Sequence, residues 1–321
     1  MNAWGHARIA VIVPCLNEEL AIGKVVREFA AALPTAEIFV FDNGSDDHTA
    51  EVARAAGAEV RSVPQRGKGN VIRRMFADVE ADIYILVDGD DTYDAAAAPD
   101  LVERLYRERL DMVVGCRVED STAAYRRGHV LGNRLFNEFL ALLFGVSCRD
   151  IFSGYRVFSR RFVKTFPAQS AGFETETELT VHALQLRMPL GEQDTRYSER
   201  AEGSASKLHT FRDGWRILLM MLKLYRLERP FYYFAIIGAV LALLALALSI
   251  PLFLTYLETG LVPRFPTAIL ATGLMLLAAL SVFSGLVLDT VAHGRKEAKM
   301  LAYLAHPCSG IQPPKDSKGK P

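Results

Sequence analysis

The sequence predicts an α/β fold: a mostly parallel sheet with helices on both faces, followed by a two-helix transmembrane hairpin. Three observations predict it. Short β-branched runs alternate with helical patterns from residue 8 onward, polar clusters follow the ends of those runs, and two long stretches in the last third carry no charge. Strand and helix alternating at this pace give parallel strands whose crossovers cover both faces.

Arg8–Pro14 (RIAVIVP) reads as a buried strand, with Glu19–Ala32 as the helix after it. Glu37–Phe41 is the second strand, and Ser45 offers a cap for a helix running to Ala56. Glu59–Val63 is the third strand, Asn70–Val79 a helix, Asp82–Val87 the fourth strand and Asp111–Gly115 the fifth. A helix is expected over Arg127–Phe144 and another over Thr177–Leu186, whereas Gly191–Leu208 reads as irregular. Phe211–Leu227 is basic, amphipathic and Trp-bearing, a pattern for lying in a headgroup plane, with packing on the soluble domain as the alternative.

Phe231–Leu257 and Phe265–Leu288 contain no charged residue. Each exceeds the roughly 20 apolar residues that cross a hydrocarbon core. Lys223, Arg226 and Arg229 precede the first, Arg295, Lys296 and Lys299 follow the second, and only Arg264 is basic in the connector Glu258–Arg264. The positive-inside bias therefore places both ends in the cytoplasm, as a multi-pass protein of the inner (cytoplasmic) membrane. The expected division is an α/β domain over 1–210, an interfacial helix over 211–229, two spans within 230–290 and a cytoplasmic tail over 291–321, disordered from His306.

Lys+Arg and Asp+Glu both total 37, so no net charge singles out a partner, and no nucleic acid is implied. Cys15, Cys116, Cys148 and Cys308 lack CxxC or metal-type spacing, which fits a reducing compartment. The opening MNAWGHARIAVIVP has no basic segment followed by a long apolar run, so no cleavable signal peptide is expected.

In parallel sheets ligands bind beyond the carboxyl ends of the strands. Pro14–Glu18, Asp42–Ser45 and Asp88–Asp91 stand there. Asp88 and Asp90, one residue apart after an apolar strand, can converge on a hard cation such as Mg²⁺ or Mn²⁺. Such an ion offsets charge on a departing diphosphate. A solvated acidic turn is the plainer account of the same residues. Asp42 can accept hydrogen bonds from a base or ribose, and Arg66-Gly67-Lys68-Gly69-Asn70 can wrap phosphates.

These segments resemble, in order and spacing, the family 2 glycosyltransferases: Pro14-Cys15-Leu16-Asn17-Glu18, Asp42-Asn43-Gly44-Ser45-Asp46-Asp47, Arg66-Gly67-Lys68-Gly69 and Asp88-Gly89-Asp90. Asp150-Ile151-Phe152-Ser153-Gly154-Tyr155-Arg156, Gly172-Phe173-Glu174-Thr175-Glu176-Thr177-Glu178 and Tyr197-x-x-Arg200-x-x-Gly203-Ser204-x-Ser206-Lys207 resemble the dolichyl-phosphate mannose synthase branch. The likeness spans roughly residues 8 to 210. It implies a GT-A (Rossmann-like) fold and transfer of a sugar from a UDP- or GDP-linked donor to a polyprenyl phosphate such as undecaprenyl phosphate.

By the same resemblance Pro14, Glu18 and Asp42 line the nucleoside pocket, Lys68 belongs to the nucleotide-sugar site, and Asp88 and Asp90 bracket diphosphate and metal. Arg200 and Lys207 reach over the phosphates, Arg117 lies near the acceptor, and Asp150 stands where some relatives supply a base. Partnership of Asp150 with Arg156 or with the SGYR backbone is the alternative. Glu174, Glu176 and Glu178 suit a helix N-terminus through its dipole, with Glu176 as a substrate contact the alternative. Two departures stand out: Thr92 replaces a frequent Gln, and Leu16 a frequent Tyr, which leaves UDP versus GDP open. The competing readings are a small membrane polysaccharide synthase, a non-catalytic scaffold and a nucleotidyltransferase. Two spans per chain also make a slender anchor, which suits a homo-oligomer.

Overall fold

The computed structural model describes residues 4–119, 127–146, 148–169, 174–198 and 210–308. It divides into two compact units, one running to Thr210 and taking in the chain from Lys299 onward, the other Phe211–Ala298.

In the first unit seven strands form one sheet among the described residues. They are β1 (Ile9–Cys15), β2 (Glu37–Asp42), β3 (Glu59–Ser62), β4 (Ile83–Leu86), β5 (Met112–Glu119), β6 (Arg156–Ser159) and β7 (Leu190–Tyr197), in the order β3-β2-β1-β4-β6-β5-β7. Only β6 runs antiparallel, to β4 on one side and β5 on the other. Alternation along each strand builds two cores. Ile9, Val11 and Val13 of β1 join Ile83 and Ile85 beneath α1 (Ile22–Ala32), α2 (Thr49–Ala55) and α4 (Ala98–Arg107). Ala10 and Ile12 join Tyr84 and Leu86 on the other face, under α3 (Lys68–Asp78), α6 (Arg160–Thr165) and α7 (Thr175–Gln185). The helix expected over Arg127–Phe144 forms over those residues as α5.

Two local expectations are corrected, and three features are added. Ser45 does not cap the second helix, which begins at Thr49; Asp47 instead accepts the Thr49 backbone N–H at 3.0 Å. The stretch read as irregular contains β7, whose mixed polar sequence buries only Gly191 and Thr195 and is fixed by parallel pairing with β5. The four-residue β6 and the helix α4, with Leu101, Val102 and Leu105 buried, were not anticipated. The helix that holds the second apolar stretch continues past Leu288 to Leu304.

The second unit holds most of α8 (Thr210–Glu228), α9 (Pro230–Thr259) and most of α10 (Phe265–Leu304). The latter two are long and apolar enough to cross a membrane, and only 11% and 17% of their most apolar windows are buried. Mostly exposed apolar helices of this length are unlike the core helices of water-soluble proteins and suit lipid. They pair antiparallel through small residues. Gly238 lies against Ala278 and Val282, Gly285 against Phe231 and Phe234, and the Ser281 hydroxyl donates to the Phe234 carbonyl at 2.9 Å.

The end of α10 is built into the first unit. Asp111 is fully buried; it accepts the Ser159 hydroxyl at 2.7 Å and the Tyr303 hydroxyl at 2.8 Å, and is bound two-pronged by Arg161. The Arg161 guanidinium also lies over the Tyr303 ring at 4.7 Å, and Lys299 donates to Gln185 at 2.8 Å. Losing the guanidinium that clasps a buried carboxylate costs far more than losing one neutral hydrogen bond. Arg161→Met is therefore expected to destabilise the protein by about 3 kcal/mol and Tyr303→Phe by about 1 kcal/mol. Unfolding in detergent followed by intrinsic fluorescence checks this; equal losses would contradict it.

Candidate active site

The first wall of the site is a lacework between the loops that leave β1 and β2. Pro14 pairs in register with Phe41, and the Asn43 N–H donates to the Cys15 carbonyl at 2.9 Å. Asn17, held at φ 57°, donates its N–H to the Ser45 hydroxyl and accepts the Asp46 N–H, both at 2.9 Å. The Glu18 N–H donates to the Thr49 hydroxyl at 2.8 Å. Asp42, buried at the end of β2, accepts both the N–H and the hydroxyl of Ser45. Asn43 ties in the basic loop. Its amide donates to the Val63 and Gln65 carbonyls at 2.9 and 2.7 Å and accepts the Gly67 N–H at 2.7 Å. Gly67 sits at φ 122°, a conformation that side chains resist, and this turn launches α3 with Lys68 as its first residue.

Lys68 then reaches under the sheet's end. Its ammonium lies 2.5 Å from an Asp88 oxygen and 2.5 Å from a Glu176 oxygen. Burial alone would lower its pKa, but the charges of Asp88 and Glu176 outweigh burial and raise it, so Lys68 stays protonated. Asp88 also packs on Gly154, where any Cβ would run into its carboxylate. Gly89 is similarly needed, since a Cβ there would lie 2.5 Å from the Cys15 sulfur. Asp90 is buried and accepts the Thr92 hydroxyl at 2.6 Å. Thr92, which replaces a frequent Gln, thus orients a carboxylate.

The donor chemistry here fits a hard cation. Asp88 and Asp90 offer carboxylate oxygens, and the nearby Cys15 thiol is pushed well up by burial and then by Glu18, Asp42, Asp88 and Asp90, which leaves no thiolate for a soft metal. Among the described residues no group of three or more His, Cys, Asp or Glu is arranged to hold a metal ion. A cation at Asp88 and Asp90 would need further oxygens from a bound diphosphate, the usual manner of holding Mg²⁺.

The opposite wall is one strong ion pair. Arg117, on β5, donates from Nε and Nη2 to the two oxygens of Asp150, both at 2.8 Å, and its backbone N–H adds a third contact at 3.2 Å. Burial would raise the Asp150 carboxyl, yet the Arg117 hydrogen bonds and charge hold it below the usual carboxylate range. Arg117 also lies over the Tyr197 ring at 5.5 Å. Tyr197 packs on Tyr93, whose hydroxyl accepts the Gly154 N–H at 2.8 Å. Arg156 is not the partner of Asp150. It is fully buried and donates to the Ser153 carbonyl at 2.9 Å, the Ile151 carbonyl at 2.5 Å and the Thr180 hydroxyl at 2.8 Å, shaping the turn behind them.

Lys68, Asp88 and Glu176 thus form one constellation, Arg117 and Asp150 another, and Gly154 and Tyr93 link the two. Pro14, Glu18 and Asp42 lie on the β1–β2 wall. Arg200 and Lys207 lie outside the described residues. Sequence reading gave no role to Asn43, Tyr93 or Thr180. Asn43 directly follows the strand-end acid Asp42, inside a segment marked for inspection; nothing local marked Tyr93 or Thr180.

Residues 10–166 match the family described as Glycosyl transferase family 2. Glycosyltransferase AglJ of Haloferax volcanii is 33% identical over 250 residues, 77% of this chain and 81% of that protein. The Dolichyl-phosphate hexose transferase of the same organism is 27% identical over 230 residues, 71% of this chain and 99% of that protein. Among solved structures, glucosyl-3-phosphoglycerate synthase of Mycobacterium tuberculosis, in complex with Mn²⁺, uridine diphosphate and glucosyl-3-phosphoglycerate, superposes with a TM-score of 0.56 at 25% identity, covering 68% of this chain and 81% of that one. The scaffold without activity is set aside by these likenesses, and the chain belongs to the family 2 glycosyltransferases, as a GT-A enzyme that takes its sugar from a nucleotide-sugar donor.

Proposed function

We propose that the protein transfers a hexose-type sugar from a UDP- or GDP-linked donor to a polyprenyl phosphate, undecaprenyl phosphate in a bacterial membrane, and so belongs to the dolichyl-phosphate mannose synthase-like branch. The observation that carries this reading is that one chain joins a carboxylate-and-cation site at strand ends to two exposed apolar helices of spanning length. A water-soluble acceptor would require no such helices. The relative named for dolichyl-phosphate hexose transfer, matched over nearly its whole length, supports the same acceptor class.

In this proposal Pro14, Glu18 and Asp42 bind the nucleoside, and Lys68, Arg200 and Lys207 neutralise the donor phosphates. Asp88 and Asp90 hold Mg²⁺ or Mn²⁺, which when bound supplies Lewis-acid stabilisation of the departing diphosphate. Arg117 receives the acceptor phosphate. That monoester has a second pKa near ~6 and is largely dianionic at neutral pH. One of its oxygens bonds to the anomeric carbon with inversion, while the bond from that carbon to the β-phosphate oxygen breaks and the nucleoside diphosphate leaves with the electron pair. No proton has to move, so the barrier is chiefly repulsion between two anions, which fixed cations lower. Asp150, held ionised and two-pronged on Arg117, aims the guanidinium and is not the base. In this reading the site and both termini face the cytoplasm and α8 lies at the membrane surface, which the basic residues flanking the apolar helices support.

Detergent-solubilised protein with undecaprenyl phosphate, Mn²⁺ and labelled UDP- and GDP-sugars is expected to move label into the lipid phase. Asp90→Asn and EDTA should each abolish it; label released only to water would contradict the lipid acceptor. Asp150→Asn separates its two readings. As an anchor for Arg117 its loss should raise the acceptor KM, keep kcat within about tenfold and leave the profile from pH 6 to 9 unchanged, whereas loss of a general base costs about a hundredfold or more in kcat.

A further inference from the structure

The two oxygens of Asp88 are unequal. One packs against Gly154 so closely that a methyl group there would overlap it. The other carries the Lys68 ammonium at 2.5 Å. Lys68 is meanwhile held at the same distance by Glu176, which stands buried in the first turn of α7. The ammonium is shared between two carboxylates, only one of which lies at the strand end.

From this geometry we infer that Lys68 competes with a divalent cation for Asp88, and that Glu176 is the positioning residue that decides the competition by drawing Lys68 away. The inference rests on the assignment of Asp88 and Asp90 as the cation's ligands. An ammonium and a divalent ion on one carboxylate oxygen repel each other, and burial gives that repulsion little screening. A nucleoside diphosphate changes the balance in two ways. Its oxygens complete the cation's coordination, and its charge offers Lys68 another anion. Cation and nucleotide therefore strengthen each other's binding, by equal factors as linkage requires. Metal and nucleotide-sugar then enter together, and the cation alone is held poorly. Gly154 takes part because its lack of a side chain lets Asp88 close in, with one oxygen against Gly154 and the other on Lys68.

The test reads bound Mn²⁺ directly, from loss of the free-ion electron paramagnetic resonance signal, on full-length protein in detergent with and without UDP or GDP. For the unaltered protein, nucleotide is expected to tighten Mn²⁺ about tenfold or more. In Lys68→Met, Mn²⁺ alone should bind tighter and the gain from nucleotide should shrink. In Glu176→Gln, Mn²⁺ alone should bind more weakly, because Lys68 then has only Asp88. The double variant Lys68→Met/Glu176→Gln also removes the charge of Glu176, the more deeply buried of the two carboxylates that Lys68 pairs, guards against misfolding of the single variant, and should match Lys68→Met. Mn²⁺ affinity that is unchanged or weaker in both Lys68 variants, while Asp90→Asn abolishes binding, overturns the competition and leaves the metal assignment standing. Mn²⁺ bound equally by unaltered protein and Asp90→Asn overturns both.

Discussion

The carboxyl end of the sheet depends on one constraint: carboxylates gathered in a poorly hydrated place must be matched, by cations or by hydrogen-bond donors such as Ser45 for Asp42 and Thr92 for Asp90. Asp88 and Glu176 share Lys68, and Asp150 is clasped by Arg117. An unmatched carboxylate at such depth would be protonated or would weaken the fold. The backbone is arranged to make the matching possible. Gly67 turns Lys68 into range, Gly154 lets Asp88 close in, and Asn43 fixes the loop that carries the lysine. The same cations that balance these acids suit the charges of a nucleoside diphosphate and a phosphate acceptor. In the proposed reaction one set of side chains would serve both structural charge balance and the electrostatics of anion transfer.

How much of this was legible in the sequence depends on how local the signal is. The strand-end clusters could be read because each motif sits within a few residues of its own apolar strand. The long apolar helices were equally plain, since length and absence of charge suffice. β6 escaped because four residues are too few to show a period, and β7 because it buries only Gly191 and Thr195 amid polar neighbours. Ser45 looked like a cap by type and position, yet Asp42 competes for it and Thr49 starts the helix.

Pairings made across the fold were the least legible. Glu176 looked like a residue suited to the helix dipole, and nothing near it in the chain announces Lys68 as its partner. Asp150 had a nearby candidate in Arg156, but that arginine turns inward to backbone carbonyls and Thr180 while Arg117 arrives from a neighbouring strand. The bond from Tyr303 to Asp111 joins residues 192 apart, and it makes the end of α10 part of the catalytic unit. A pairing of that kind has no sequence pattern, because either residue reads as ordinary where it stands.

The central claim is that the sugar ends on a membrane-held phosphate. Phosphorus NMR of undecaprenyl phosphate in nanodiscs with this protein, Mg²⁺ and a competent nucleotide-sugar observes that atom itself. The account predicts that the monoester resonance converts to a phosphodiester resonance in step with appearance of nucleoside diphosphate. Nucleoside diphosphate accumulating while the monoester resonance stays unchanged would contradict it.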